Sequence, residues 1–297
     1  MVNILISGYY GFDNIGDESI LRTLVSSLRE HIPECSLTVL SHNPASTREK
    51  YGVEAVDRMS PVAILHAVKK CDMLISGGGS LLQDVTSSKS LHYYLSIIRC
   101  AEFFHKKVFI YSPGIGPIDR PGNRRAAAAA LKRADGIVVR DERSASLLEE
   151  IGIARDKVVI TADPVIRMKK PDGDVGAEIL RKAGVSLDGR LTVGWAIRER
   201  DTDSRFVKEL LRSIQMMKDK YNAQSVLIPF HYEEDGEVCR HIAAQLPDDT
   251  AVCLNEKYLS EDMLSIIGNM DLLVGVRLHS LIYAAIMGVP LIGISYE

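Results

Sequence analysis

The sequence predicts an α/β protein built from two doubly wound parallel-sheet halves. Three observations carry that expectation. Short β-branched runs alternate with amphipathic helical stretches from the start of the chain, the pattern of parallel strands covered by helices on both faces. A polar, breaker-rich stretch then interrupts it: Asp163-Pro164, followed by Lys169-Lys170-Pro171-Asp172-Gly173-Asp174. Beyond this connection the alternation restarts and runs to the end.

In the first half, strands are expected over 2–7, 36–40, 72–76, 107–111, 136–139 and 157–160. Helices are expected over 17–31, 61–70, 90–105, 122–134 and 142–151, the run Ala126–Ala130 having the highest helix propensity. In the second half, strands fit 191–196, 224–229, 249–253, 271–276 and 290–294. Helices fit 174–184, 204–220, 235–245, 260–268 and 279–287. The expected domains are Rossmann-like, over residues 1–168 and 174–297. A doubly wound half usually closes with a further helix, so the ending Ile292-Gly293-Ile294-Ser295-Tyr296-Glu297 reads as a cut-short tail. In open parallel sheets ligands bind beyond the carboxyl ends of the strands. Two such sheets facing each other would form a cleft, as in the GT-B-like architecture.

The bulk properties set limits. The chain has 297 residues and a net charge of −3, so no overall positive field argues for nucleic acid. The start, Met1–Gly8, lacks the basic flank and long apolar core of a secretory signal, and no apolar run nears the roughly 18 residues of a membrane span. The five cysteines are scattered without a CxxC pair, which disfavours disulfides. A cytoplasmic enzyme is expected. No acidic or Cys/His cluster has metal-ligand spacing, so neither a metal nor another cofactor is expected.

The polar residues after each expected strand are the informative ones. Gly8-Tyr9-Tyr10-Gly11-Phe12-Asp13-Asn14-Ile15-Gly16-Asp17-Glu18 follows the first. Its glycines permit close backbone approach, and the helix after it offers free N–H groups to an anion. A plain glycine turn with Asp17 as helix cap explains it equally well. Gly77-Gly78-Gly79-Ser80 follows the third, where consecutive glycines imply something passing close to the backbone, ligand or protein. Pro113-Gly114-Ile115-Gly116-Pro117 reads as a stiff wall. Arg140 follows the fifth, with Asp141 and Glu142 opening a helix where negative charge is favoured; Arg140 either faces a ligand or pairs with acidic neighbours. Asp163 follows the sixth. In the second half Arg198, His231 and the segment Arg277-Leu278-His279-Ser280 take such places. Arg277 and His279 are two apart and can face one side while Leu278 packs inward. Arginines from both halves could thus meet one anion, carboxylate or phosphate, by paired hydrogen bonds.

Taken in order, the opening loop, Gly77–Gly79, Gly114-Ile115-Gly116-Pro117, Val139-Arg140-Asp141 and Gly275-Val276-Arg277-Leu278-His279-Ser280 resemble the polysaccharide pyruvyl transferase family. The likeness is strongest to the bacterial branch that pyruvylates secondary cell-wall polymers. The resemblance implies a GT-B-like fold and phosphoenolpyruvate as donor. It also implies an acceptor N-acetylmannosamine on a lipid-linked precursor at the inner membrane face, and a 4,6-linked pyruvate ketal that S-layer anchoring domains recognise. On it, Arg140, Arg277, Leu278 and His279 match positions of donor binding or catalysis.

The residues support a mechanism of that kind. Arg140 and Arg277 would clamp carboxylate and phosphate, with amides of Gly77, Gly78 and Gly79 assisting, and His279 would be the general acid or a donor on the phosphate side. Asn14, Asp17, Asp163 and His231 are candidate acceptor or loop contacts, and the base is not fixed among them. Two other readings fit the residues: a nucleotide-sugar glycosyltransferase of the same architecture, and a non-catalytic protein that binds an anionic sugar.

Overall fold

The computed structural model describes residues 1–85, 87–199 and 201–295, so Tyr296 and Glu297, the last two residues of the ending noted above, lie outside the described residues. The chain forms two compact units. The first comprises Met1–Phe12 and Asp17–Arg167, the second Asp13–Gly16 and Met168–Glu297.

The first unit runs β1 (Val2–Tyr10), α1 (Ile15–His31), β2 (Cys35–Ser41), α2 (Pro44–Tyr51), β3 (Glu54–Asp57), α3 (Pro61–Lys70), β4 (Met73–Gly77), α4 (Ser88–Phe103), β5 (Lys107–Tyr111), α5 (Pro121–Leu131), β6 (Gly136–Val139), α6 (Glu142–Glu150) and β7 (Val158–Ile160). The strands form one parallel sheet in the order β3-β2-β1-β4-β5-β6-β7. Successive residues of β1 serve opposite faces. Ile4 and Ile6 pack with Leu21, Leu24 and Val39, while Leu5 packs with Leu74, Ile98 and Val108. This two-sided burial explains the unbroken apolar runs of the sequence.

The pair α2 and β3 was not expected from the sequence. The stretch Pro44–Tyr51 is polar, and β3 is a four-residue edge strand with Glu54 and Asp57 exposed, so neither shows an apolar period. Local chemistry starts these helices instead. Asn43 Oδ1 accepts from the Ser46 N–H ahead of α2, Ser60 Oγ accepts from the Ala63 N–H ahead of α3, and proline follows each cap.

The second unit runs α7 (Val175–Lys182), β8 (Thr192–Ala196), α8 (Arg205–Tyr221), β9 (Gln224–Leu227), α9 (Tyr232–Ala244), β10 (Ala251–Cys253), α10 (Ser260–Gly268), β11 (Leu272–Gly275), α11 (Leu278–Met287) and β12 (Leu291–Gly293). Its parallel sheet has the order β10-β9-β8-β11-β12. Helix α8 shows how the sequence sets these elements. Ser204 caps its start, Val207, Leu210 and Ile214 form the buried stripe, and Asn222 ends it in the left-handed conformation. Helix α9 begins three residues earlier than the sequence suggests, because His231 caps it and Glu233 and Glu234 occupy its favourable first turn.

All five cysteines are free thiols. Among the described residues no helix is long and apolar enough to cross a membrane.

Candidate functional site

In a doubly wound sheet the ligand crevice opens beyond the carboxyl ends of the strands, where the strand order reverses. That point lies between β1 and β4 in the first unit and between β8 and β11 in the second. The opening loop and the triple glycine occupy the first position, and Arg277–His279 the second.

In the second unit only Val276 and Arg277 connect β11 to α11. So short a turn needs Gly275, where a Cβ would lie 2.5 Å from Ser280 Oγ. Ser280 Oγ donates to the Arg277 carbonyl at 2.6 Å and closes the turn. The Arg277 side chain is held from α9: Nε and Nη2 donate to the two oxygens of Asp235 at 3.1 and 2.5 Å. Asp235 is 1% exposed and also accepts from the N–H groups of Phe230 (3.2 Å) and His231 (2.8 Å). One carboxylate thereby fixes both the guanidinium and the loop after β9. Its grip uses the Nε edge and leaves Nη1 with no partner among the described residues, so a ligand carboxylate or phosphate can take the outer edge.

His279 is the second residue of α11 and half-buried. A Cβ on Gly16 would lie 2.2 Å from its Nδ1, so the ring packs on the Gly16 backbone and only glycine fits there. The rest of the 13–16 segment is tied to the same unit. Asn14 bridges His231, the Ile15 N–H donates to the Phe230 carbonyl at 2.9 Å, and Lys257 Nζ donates to Asp13 at 2.7 Å. That last hydrogen bond raises the Lys257 ammonium above its ordinary pKa. His231 is buried, and its Nδ1 accepts from the Glu234 N–H at 3.3 Å as the cap of α9. Thus Asn14, His231, Arg277 and His279 come together. Leu278 corrects the expectation of inward packing: it is 44% exposed, because α11 starts at this residue and strand alternation no longer applies.

In the first unit, Tyr10 Oη donates to the Gly77 carbonyl at 2.8 Å, and burial pushes its phenol well above the ordinary value. Glu18 accepts from the Gly11 N–H at 2.8 Å and from the Tyr51 hydroxyl. Gly78 and Gly79 have φ of +76° and +68°, and added Cβ atoms would lie 2.3 Å from Ile20 Cγ2 and 2.5 Å from Asp17 Oδ1. Their glycine requirement therefore comes from the close approach of α1. The stiff loop expected around Pro113 is zipped to this one, since the Gly114 N–H donates to the Gly79 carbonyl at 3.0 Å and the Gly116 N–H to the Leu82 carbonyl at 2.7 Å.

Arg140 and Asp163 also meet. Arg140 Nη1 donates to Asp163 Oδ2 at 3.1 Å, Nη2 to Ser80 Oγ at 3.3 Å, and Nε lies 3.6 Å from Asp141. Asp141, expected to open a helix by its charge, also caps α6 by accepting from the Ser144 N–H at 2.8 Å.

Two residues escaped the sequence reading. Asp235 sits in the acidic run Glu233-Glu234-Asp235, which resembles a solvated helix start. Arg58, directly after the unrecognised β3, is 6% exposed and lies 4.7–5.7 Å from the ring centres of Tyr9, Phe12, Tyr93 and Tyr94. It donates to the Gly8 carbonyl at 3.0 Å and to Tyr94 Oη at 3.2 Å. Beside it, the rings of Tyr9, Phe12 and His42 stack in series at 4.0 and 4.4 Å. No local signal could have revealed a cage assembled from three separate segments.

Comparison with solved structures places the architecture. The chain is similar to Anabaena Alr3699/HepE in complex with UDP-glucose (TM-score 0.66, 11% identity, covering 99% of this chain and 80% of that one). It is equally similar to the UDP-GlcNAc 2-epimerase of Neisseria meningitidis bound to UDP-GlcNAc (TM-score 0.65, 14% identity, 100% and 83%). These likenesses bear out the GT-B-like fold of two parallel-sheet α/β domains. In sequence, the chain is 21% identical over 353 residues to the amylovoran biosynthesis protein AmsJ of Erwinia amylovora, covering all of this chain and 84% of that protein. The family model for polysaccharide pyruvyl transferases matches residues 14–297. With nearly its whole length matched, this chain belongs to the polysaccharide pyruvyl transferase family.

Proposed function

We propose that this pyruvyltransferase takes phosphoenolpyruvate as donor and forms a ketal with the 4- and 6-hydroxyls of an N-acetylmannosamine residue on a lipid-linked cell-wall precursor. The observation that carries the donor assignment is Arg277, locked by Asp235 along one edge and open along the other, two residues from His279. Phosphoenolpyruvate is a small dianionic or trianionic ligand, and a guanidinium with a free end suits either of its charged groups.

In the reaction both acceptor hydroxyl oxygens bond to C2 of the donor and the C2–O bond to phosphate breaks. One hydroxyl proton is balanced by the proton that turns the methylene into a methyl group, and the other leaves with phosphate. As the C2–O bond breaks, charge builds on phosphate, and Arg277 stabilises it there. His279 delivers the proton as general acid, its ring steadied against Gly16. Leu278, exposed beside them, contacts the donor's apolar edge. In the first unit Arg140 is a second anion-binding group, able to exchange Ser80 or Asp163 for a ligand oxygen, while Gly77, Gly78 and Gly79 are buried and the space beside Gly78 and Gly79 is taken by Ile20 and Asp17 of α1. The stacked rings of Tyr9, Phe12 and His42 offer an apolar face to a pyranose.

The test is incubation with phosphoenolpyruvate and a lipid-like N-acetylmannosaminyl disaccharide diphosphate, following released phosphate together with acceptor mass. A mass gain of one pyruvate ketal per phosphate supports the reading. Tight binding of a uridine nucleotide with no phosphate released from phosphoenolpyruvate would replace it with glycosyl transfer.

A further inference from the structure

Two cysteines that stand apart in the sequence meet in the second unit. Cys239 lies on α9 and is fully buried in that unit's core. Cys253, the last residue of β10, packs against the same core and keeps part of its surface open. The Cys239 S–H donates to the Cys253 sulfur, while the Cys253 S–H makes a weak contact with the Leu254 carbonyl at 3.8 Å. The two thiols are chemically unequal. The hydrogen bond from Cys239, helped by the charge of Arg240, holds the Cys253 thiol below the ordinary 9.0, and the same hydrogen bond together with burial raises Cys239. Elsewhere burial pushes the Cys71 thiol up to about 11 and raises that of Cys100. A thiolate is the form that attacks a disulfide, so Cys253 is the nucleophile and Cys239 the resolving partner.

Their place in the fold gives the pair a consequence. Cys239 is one helical turn after Asp235, and both face inward from α9. Asp235 is the carboxylate that holds Arg277 and the loop after β9. Strand β10 is an edge of its sheet and pairs with β9 alone. A disulfide keeps its sulfurs about 2.05 Å apart, much closer than two thiols in contact. Closing one here draws α9 and β10 together and shifts Asp235 under Arg277.

We propose that Cys253 and Cys239 form a redox-sensitive dithiol, oxidised by a small-molecule disulfide such as oxidised glutathione, whose closure weakens the hold of Asp235 on Arg277. The Cys253 thiolate attacks one sulfur of the oxidant, the oxidant's S–S bond breaks, and one small thiol leaves. Cys239 then gives up its proton and attacks the Cys253 sulfur, and the mixed disulfide releases the second small thiol. Two protein thiols are oxidised, one disulfide is reduced to two thiols, and the two cysteine protons pass to the departing thiols. A reducing thiol runs the same steps backwards.

The experiment is incubation of the full chain with oxidised glutathione at about pH 8, followed by intact mass, peptide mapping and phosphate release. The wild type is expected to lose two hydrogens and to yield a peptide that links Cys239 with Cys253. Its turnover should fall about tenfold and recover with dithiothreitol. Cys239→Ala should stop at the mixed disulfide on Cys253, and Cys253→Ser should keep its full rate under the oxidant. The link is read by mass without either substrate, so its absence is distinct from a wrong donor; the rate measurement alone rests on Arg277 binding phosphoenolpyruvate. No linked peptide, a link to a different cysteine, an unmodified Cys253 in Cys239→Ala, or an oxidised wild type that turns over at the reduced rate would overturn the inference.

Discussion

Arg140 in the first unit and Arg277 in the second both follow a parallel strand and both meet a buried carboxylate, yet they differ in what remains to be offered. Arg140 spreads its nitrogens over Asp163, Ser80 and the neighbourhood of Asp141, and it lies after β6, two strands away from its sheet's reversal. Arg277 gives two nitrogens to a single carboxylate, has no partner for Nη1 among the described residues, and stands at the reversal itself. The lesson is that a paired arginine is not thereby a spent one. A carboxylate that takes one edge fixes the other for a ligand, whereas partners around the whole guanidinium must be displaced first.

The largest expected effect that separates the two is on turnover. His279→Ala should lower it by about 10²–10⁴-fold with folding intact. Arg277→Lys, which loses the planar fork, should cost about 10²–10³-fold, and Arg140→Lys roughly tenfold. Steady-state phosphate release checks all three, and an equal loss at both arginines would erase the distinction.

Stability should separate the carboxylates next. Asp235→Ala strands a half-buried guanidinium and two backbone N–H groups, a loss of about 3–5 kcal/mol by urea unfolding. Asp163→Ala strands Arg140 Nη1 and the Val165 N–H, so roughly half that loss is expected.

Smaller still is the contrast within the triple glycine. Gly78→Ala meets Ile20 at positive φ and should cost about 1–3 kcal/mol. Gly77→Ala meets nothing nearer than 3.5 Å and should stay within about 0.5 kcal/mol, as thermal melts would show.

The smallest effect concerns pH. Burial pushes the Asp84 carboxyl up, but the Asp119 N–H, the Asn123 amide, and the Arg120 N–H and charge outweigh it and hold it below the ordinary 3.8. A depressed folded pKa stabilises fully above 3.8 and is lost as the pH falls below it. The melting difference between Asp84→Asn and wild type should therefore shrink between pH 5 and pH 3. A constant difference would show that Asp84 acts without its charge.

Much of this was legible from periodicity alone. Both sheets announced themselves because parallel strands buried on two faces give long apolar runs, and Asp141 marked a helix start by its charge. The edge strand β3 was hidden because a strand of four residues with two exposed acids has no period to detect. Consecutive glycines signal a close approach, which holds at Gly78 and Gly79 but not at Gly77, and which body approaches is tertiary information, supplied by Ile20 and Asp17. Asp235 and Arg58 were invisible for the same reason: an acid in an acidic run and a lone arginine gain meaning only from neighbours distant in sequence.

The close seat of His279 on Gly16 limits how members of this family can be recombined. A chimera joined near residue 168 looks like a clean exchange of halves, yet it would take Asp13–Gly16 from one parent and His279, His231 and Lys257 from the other. Four residues near the amino terminus are inherited, in effect, with the carboxyl-terminal half, and a graft that leaves them behind would disturb the proposed acid while every residue that performs chemistry was still present.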